Sequence, residues 1–178
     1  CSPDFYCQCA ALIKENTSLW VLIETNGYGL TPQNLDSLQM AGADAFWLDI
    51  KAFDSQRHKW LTGCDNDRIL KLPAEIIKRG FVLEVLSLFI PEVVEADDLE
   101  NIARLLAAVD PHIPFTILAF FPEHRMGGHR SPSTAEMIAA YERVKTAGLQ
   151  KVRLGNLGVF VKTEADHRLL TQHVAPQD

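Results

Sequence analysis

The chain has 178 residues, enough for one ordinary domain with a real core, and its 47% hydrophobic and 22% charged residues are typical of a globular protein. A net charge of −6 and a pI near 5.5 argue against nucleic acid as the main partner, because phosphate binding needs an excess of Lys and Arg. No apolar run is long enough to cross a bilayer, and the first residues do not read as a signal peptide.

Ser2 is placed to cap a helix from Pro3 to Glu15, with Pro3 at its first position and Asp4 complementing its dipole. Phe5, Cys9, Leu12 and Ile13 fall at helical spacing and are expected on its buried face. Leu19 to Ile23 predicts a strand buried on both faces, ending in the polar turn Glu24-Thr25-Asn26-Gly27. Thr31 and Pro32 open a second helix lined by Leu35 and Leu38 and stopped by Gly42. Ala45 to Ile50 is the next buried strand, with Asp49 and Lys51 at its carboxyl end, and a polar stretch from Asp54 to Asp65 follows. Ile69, Leu70, Ile76 and Ile77 mark a helix ended by Gly80, which Pro73 splits or kinks.

Phe81 to Ile90 is a third strand, stopped by Pro91. Asp97 starts a helix with Leu99, Ile102, Leu105, Leu106 and Val109 inward. Phe115 to Phe121 is a fourth strand, followed by a Gly- and His-rich loop from Glu123 to Ser131. Ser133 with Glu136 makes a capping box for the helix of Ile138, Tyr141 and Val144, which Gly148 ends. Val152 to Leu154 is a last short strand. The tail from Gly158 is less regular, with a short helix over His167 to Val174.

Helices alternating with short continuous apolar strands predict a parallel α/β sheet, in which function sits at the carboxyl ends of the strands. Those ends carry Glu24-Thr25-Asn26-Gly27, Asp49-Ile50-Lys51, Ser87, Glu123-His124-Arg125-Met126-Gly127 and Gly155-Asn156. Such a rim suits a small zwitterionic ligand with hydroxyls and one cationic centre.

These residues carry a resemblance. Glu24-Thr25-Asn26-Gly27 resembles the Asp/Glu-Thr-Asn-Gly turn of the glycyl-radical-enzyme activases, a branch of the radical S-adenosylmethionine enzymes. Trp47-Leu48-Asp49-Ile50-Lys51 is similar to their Asp-Leu-Lys strand, and His58 to Gly63 with Asn66 and Ile69-Leu70 to their His-x-x-Leu-Thr-Gly-x-x-Asn-x-x-Ile-Leu stretch. Phe89-Ile90-Pro91 resembles a strand ending of that family, and His124-Arg125-Met126-Gly127 its His-x-x-Gly loop. Glu84 and Phe120-Phe121-Pro122 resemble a related branch. The motifs occur in family order, from about Pro3 to Asn156. The resemblance implies a partial (β/α) TIM-like barrel, the radical S-adenosylmethionine core without its first two strands. It implies a single domain over 1–178, with a core over 1–157 and a C-terminal tail over 158–178. Ser2-Pro3-Asp4-Phe5 matches the helix that follows a Gly-Gly-Glu turn in that family. The chain is therefore expected to start just after that turn and to lack the Cys-x-x-x-Cys-x-x-Cys loop that holds a [4Fe–4S] cluster.

The same resemblance implies that Asp49, Ile50 and Lys51 hold the ribose and methionine ends of S-adenosylmethionine, with His124 bonding the same ligand. Glu24, Thr25 and Asn26 would face its amino group, or a cation bound beside it. Glu24 stands where the family usually has Asp. The implied activity is reductive cleavage of S-adenosylmethionine to a 5′-deoxyadenosyl radical, which installs a glycyl radical on a partner enzyme, with flavodoxin or ferredoxin as electron donor. The isolated chain is expected to be inactive, and its open sheet edge invites a dimer. Two other readings stay open: a non-radical aldolase or hydrolase using Lys51, Glu24 or His124, and a non-catalytic interaction domain. His58 to Gly63 is read as a polar loop that caps the next helix. Cys1, Cys7 and Cys9 are read as structural thiols, with Cys9 on the apolar helix face, and Cys64 as a lone loop thiol, all in a reduced, cytoplasmic setting.

Overall fold

The computed structural model describes residues 2–174. Five strands form one sheet: β1 (Leu22–Thr25), β2 (Ala45–Asp49), β3 (Val82–Phe89), β4 (Phe115–Ala119) and β5 (Val152–Gly155). All neighbouring pairs are parallel, and their order across the sheet is their order along the chain. Among the described residues β1 pairs only with β2 and β5 only with β4. The sheet is open at both edges, a partial barrel of alternating strands and helices.

Among the described residues eight α-helices precede, connect and follow the strands: α1 (Pro3–Asn16), α2 (Pro32–Met40), α3 (Ser55–Thr62), α4 (Leu72–Lys78), α5 (Ala96–Val109), α6 (Thr134–Thr146), α7 (Leu157–Phe160) and α8 (Glu164–His173). Their starts obey capping chemistry. The Thr31 hydroxyl accepts from the Asn34 amide at 3.1 Å, with Pro32 at the first helical position. Asp54 accepts from the amides of Gln56 and Arg57 at 2.9 and 2.8 Å. Ser133 and Glu136 form the expected capping box, and Thr163 and Asp166 form another. Ser2 precedes α1 without a side-chain cap.

One face of the sheet is covered by these helices. Phe46, Leu48, Val85, Phe115 and Ile117 are buried there against Leu72, Ile76, Leu99, Ile102, Leu106 and Met137. The other face is only partly covered. On β3, Leu83, Val85, Ser87 and Phe89 are buried while Glu84, Leu86 and Leu88 are half-buried. Trp47 sits in register with Glu24 and Glu84 and is partly exposed.

This one-sided covering corrects several expectations. β1 is not buried on both faces: Leu19 and Trp20 lie outside it and are exposed, and so is Leu22 within it. On α1, Phe5 and Leu12 point out at 60% and 59% exposure, while Ala10 is buried and Tyr6 and Cys7 pack on the core. The buried face lies one position along from the expected one, because the large Phe5 and Leu12 dominate the sequence pattern over the small Ala10. The stretch from His58 to Thr62 is not a loop but most of α3, capped by Asp54 and ended by Gly63 at φ 81°. A helix low in apolar residues gives no periodic signal. Pro73 does split its helix: a 3₁₀ turn over Ile69–Lys71 leads into α4. The described part of the tail is more regular than expected, since it holds the end of α7 and all of α8, and α8 packs on α6.

Candidate functional site

The carboxyl ends of β1 and β2 open into a cavity of about 610 Å³, lined by Glu24, Thr25, Asn26, Asp49 and Lys51, with Tyr6 of α1 across from them. The parallel register accounts for this convergence. Glu24 lies beside Trp47 and Thr25 beside Leu48, so both strands stop at one level and their polar ends share one edge.

Lys51 turns back onto Asp49, its ammonium donating to Oδ2. The pair is mostly shielded, with side chains 20% exposed for Asp49 and 31% for Lys51. The other carboxylate oxygen, Asp49 Oδ1, is buried and has no hydrogen-bond partner within the protein. A buried acceptor without a donor costs roughly 1–3 kcal/mol, so this oxygen is suited to a donor brought by a ligand.

The turn after β1 uses its own side chains. Thr25 Oγ1 accepts from the Gly27 amide at 3.0 Å, and Asn26 Oδ1 accepts from the Tyr28 amide at 3.1 Å. Gly27 adopts φ 77°, and a Cβ there would lie 2.5 Å from Leu72 Cδ1 and 3.0 Å from Leu48 Cδ1. Only glycine lets this turn sit so close to the core. Glu24 is exposed on the partly covered face.

Two expected site residues stand apart. Ile50 is fully buried in the core and does not line the cavity, and its amide donates to the Leu86 carbonyl at 2.9 Å. His124 begins a 3₁₀ turn, His124–Met126, past the end of β4, with φ 49° and an exposed side chain. It shares the sheet edge with Asp49 but does not line the cavity. Among the described residues no group of three or more His, Cys, Asp or Glu is placed to hold a metal ion. Cys7, Cys9 and Cys64 are half-buried free thiols, and burial, with Asp4 adding to it, pushes the Cys7 thiol up. Cys1 lies outside the described residues.

Two buried polar residues hold the segment that follows Lys51, Asp98 and Asn66, and neither is among the expected site residues. Asp98, 1% exposed in the first turn of α5, accepts from the amides of Phe53 and Asp54 and pairs with Arg57. Its hydrogen bond raises the Arg57 pKa. Asn66 Nδ2 donates to the carbonyls of Ala52 and Phe53 at 3.0 and 2.8 Å. Asn66 belongs to the quoted motif, which could have flagged it. Asp98 reads in sequence as one of two acids complementing a helix dipole. A third cluster sits on the partly covered face, where Glu84 accepts from Thr116 at 2.9 Å and faces Arg153 at 3.4 Å.

The architecture and the polar mouth define a parallel α/β partial barrel with a ligand-sized opening at the carboxyl ends of its first strands. No family model matches the chain. A protein of Methanocaldococcus jannaschii named as a glycyl-radical enzyme activating enzyme is 29% identical over 135 residues, covering 74% of this chain and 50% of that protein. The chain thus spans about half the length of the curated relative it matches. Among solved structures, a domain of pyruvate-formate lyase-activating enzyme from Bacteroides vulgatus superposes with a TM-score of 0.72 at 19% identity, covering 86% of this chain and 91% of that one. Streptococcus suis SuiB bound to S-adenosylmethionine superposes with a TM-score of 0.61 at 15% identity, covering 85% of this chain and 33% of that one. The resemblance read from the motifs is borne out: the chain is similar in sequence to a protein named as a glycyl-radical enzyme activating enzyme, and it shares the partial-barrel fold of the pyruvate-formate lyase-activating enzyme domain and of SuiB.

Proposed function

We propose that the cavity at the ends of β1 and β2 binds S-adenosylmethionine, and that the chain is the orienting wall of an activase that makes a glycyl radical on a partner enzyme. The observation that carries this reading is the buried, unpartnered Asp49 Oδ1 beside the Lys51 ammonium, at the one mouth that also gathers Glu24, Thr25 and Asn26. The donor set fits the ligand. A ribose hydroxyl satisfies Asp49 Oδ1, Lys51 offers its remaining N–H donors to a carboxylate or hydroxyl, and Glu24 faces an ammonium.

Bound S-adenosylmethionine would supply a sulfonium whose C5′–S bond, on taking one electron from an external donor, breaks to methionine and a 5′-deoxyadenosyl radical. The residues of this chain bind and orient. The Asp49–Lys51 pair fixes the polar ends of the ligand, the Thr25–Gly27 turn holds the rim still, and Tyr6 narrows the opening. A [4Fe–4S] cluster does not fit these residues. It needs thiolates converging from one loop, and the sequence has no Cys-x-x-x-Cys-x-x-Cys run. Its ligands therefore come from outside this chain, and the chain alone does not cleave S-adenosylmethionine. A flavodoxin or ferredoxin is the electron donor we assign to the whole protein.

The test has two arms. Equilibrium dialysis of this chain with labelled S-adenosylmethionine should show binding that Lys51→Met weakens roughly 10- to 100-fold. Anaerobic reconstitution of the full-length protein with iron, sulfide and a reductant should then release 5′-deoxyadenosine. Equal binding by the wild type and Lys51→Met removes the reading. Covalent trapping of a carbonyl substrate on Lys51 by borohydride would replace it with an aldolase.

A further inference from the structure

Lys51 is the one residue between Ile50 and Asp54 whose backbone is not tied by a described hydrogen bond to a distant element. Ile50 donates to the Leu86 carbonyl of β3 at 2.9 Å. Beyond Lys51, the carbonyls of Ala52 and Phe53 both accept from Asn66 Nδ2. The amides of Phe53 and Asp54 both donate to Asp98 Oδ1, at 2.5 and 2.9 Å. The loop is gripped from both sides by two residues, each 1% exposed, one on the 63–66 connection and one on α5. The second carboxylate oxygen of Asp98 takes Arg57 of α3 at 2.5 Å, so the charge is buried but paired.

This is more than a loop requires to avoid orphaned groups. A loop at the surface can give its amides and carbonyls to water. Here four backbone groups are withdrawn from water and handed to side chains from elsewhere in the chain. The result is that the segment leaving β2 has one path, and Lys51 projects from it back over Asp49.

We propose that Asp98 is a positioning residue for the cavity: through the amides of Phe53 and Asp54 it fixes the backbone that holds Lys51 against Asp49. The ligand part of this inference rests on the S-adenosylmethionine reading above, whereas the placement of Lys51 does not. Asp98 touches no cavity group itself. It acts by removing the conformational freedom of the 52–54 segment before a ligand arrives, which is how a supporting residue preorganises a site.

Four variants of this chain test the inference: Asp98→Ala, Asp98→Asn, Lys51→Ala and the neighbouring Asp97→Ala. Asp97 contacts Arg57 at 3.3 Å on the same helix turn and reaches no loop amide, so it controls for helix-dipole effects. The first readout needs no ligand. The side-chain ammonium signal of Lys51 in ¹⁵N NMR should be ordered in the wild type and Asp97→Ala, and lost or shifted in Asp98→Ala. Asp98→Asn keeps an acceptor oxygen for the two amides and should recover it. The second readout is S-adenosylmethionine affinity by equilibrium dialysis, at a temperature where thermal unfolding shows each variant folded. Asp98→Ala should bind at least tenfold more weakly than wild type, and Asp98→Asn within about threefold. An unchanged Lys51 signal in folded Asp98→Ala overturns the inference, as does Asp98→Asn falling as far as Asp98→Ala. If instead Lys51→Ala binds S-adenosylmethionine as well as wild type while the Lys51 signal still depends on Asp98, the positioning role stands and the ligand assignment falls.

Discussion

The ammonium of Lys51 folds back onto the carboxylate of Asp49, two residues upstream at the end of β2, and leaves the second oxygen of that carboxylate buried with nothing to accept from. A lysine and an aspartate so close along an extended chain need not meet. They meet because the loop after Lys51 is held by buried side chains rather than by water.

The first prediction concerns that pair. Asp49→Asn removes the charge that the ligand's hydroxyls would meet, and Lys51→Met removes the cation. Charge-assisted hydrogen bonds contribute about 1.5–3 kcal/mol, so each change should weaken S-adenosylmethionine binding roughly 10- to 100-fold. A partly exposed ion pair adds only about 0–1 kcal/mol to folding, so the thermal midpoint should barely move. Calorimetric titration beside thermal unfolding reads both.

Gly27→Ala should destabilise the fold and the rim together. The left-handed backbone alone costs about 1–2 kcal/mol for an L-residue, and the new methyl group would sit 2.5 Å from Leu72 Cδ1. A total of about 2–4 kcal/mol is expected once overpacking is added, measured by urea denaturation. Gly29, with nothing within 4 Å of an added Cβ, should tolerate the same change.

Phe115 and Trp20 make a contrast. Phe115 is fully buried at the start of β4, and Phe115→Ala should cost about 3–5 kcal/mol. Trp20 is larger but 69% exposed, so Trp20→Ala should change stability by less than about 0.5 kcal/mol. Chemical denaturation of the two variants reads the difference.

Acid stability should depend on the cap of α6. Arg130, and then Ser133, hold the Glu136 carboxyl at about 2, against an ordinary value of 4.5. A depressed carboxyl pKa stabilises the fold fully above the unfolded value and loses that contribution as pH falls from about 4.5 through about 2. Because Arg130 is more than half exposed, solvent screening reduces the contribution to about 1–2 kcal/mol. Glu136→Gln should flatten the stability slope across that window, seen in urea midpoints taken at successive pH values.

The class of fold was legible because it depends on alternation, which short apolar runs between capped helices display plainly. The Ser133–Glu136 box and the Thr31–Pro32 start were readable residue by residue, since each cap is a local bond. Which face of a strand is covered was not legible, because it depends on where the helices pack. That is why Leu22 and Trp47 read as buried and are not. The mouth was found from strand ends and motifs, and Glu24, Thr25, Asn26, Asp49 and Lys51 do line it. Ile50 was named beside them, yet the two-residue alternation of a strand turns its side chain inward. Asp98 escaped notice because its partners, Phe53 and Asp54, are far from it in sequence and carry no side-chain signature of the contact.

The in-order sheet bears on how the molecule comes into being. Among the described residues each strand from β1 to β4 pairs with the strand of the next β–α unit, so none of these pairings waits for a distant segment. Each newly emerged unit can dock on the edge left by the one before it, as the chain leaves the ribosome. The edge left exposed at each stage is what a chaperone would have to shield until the next strand arrives.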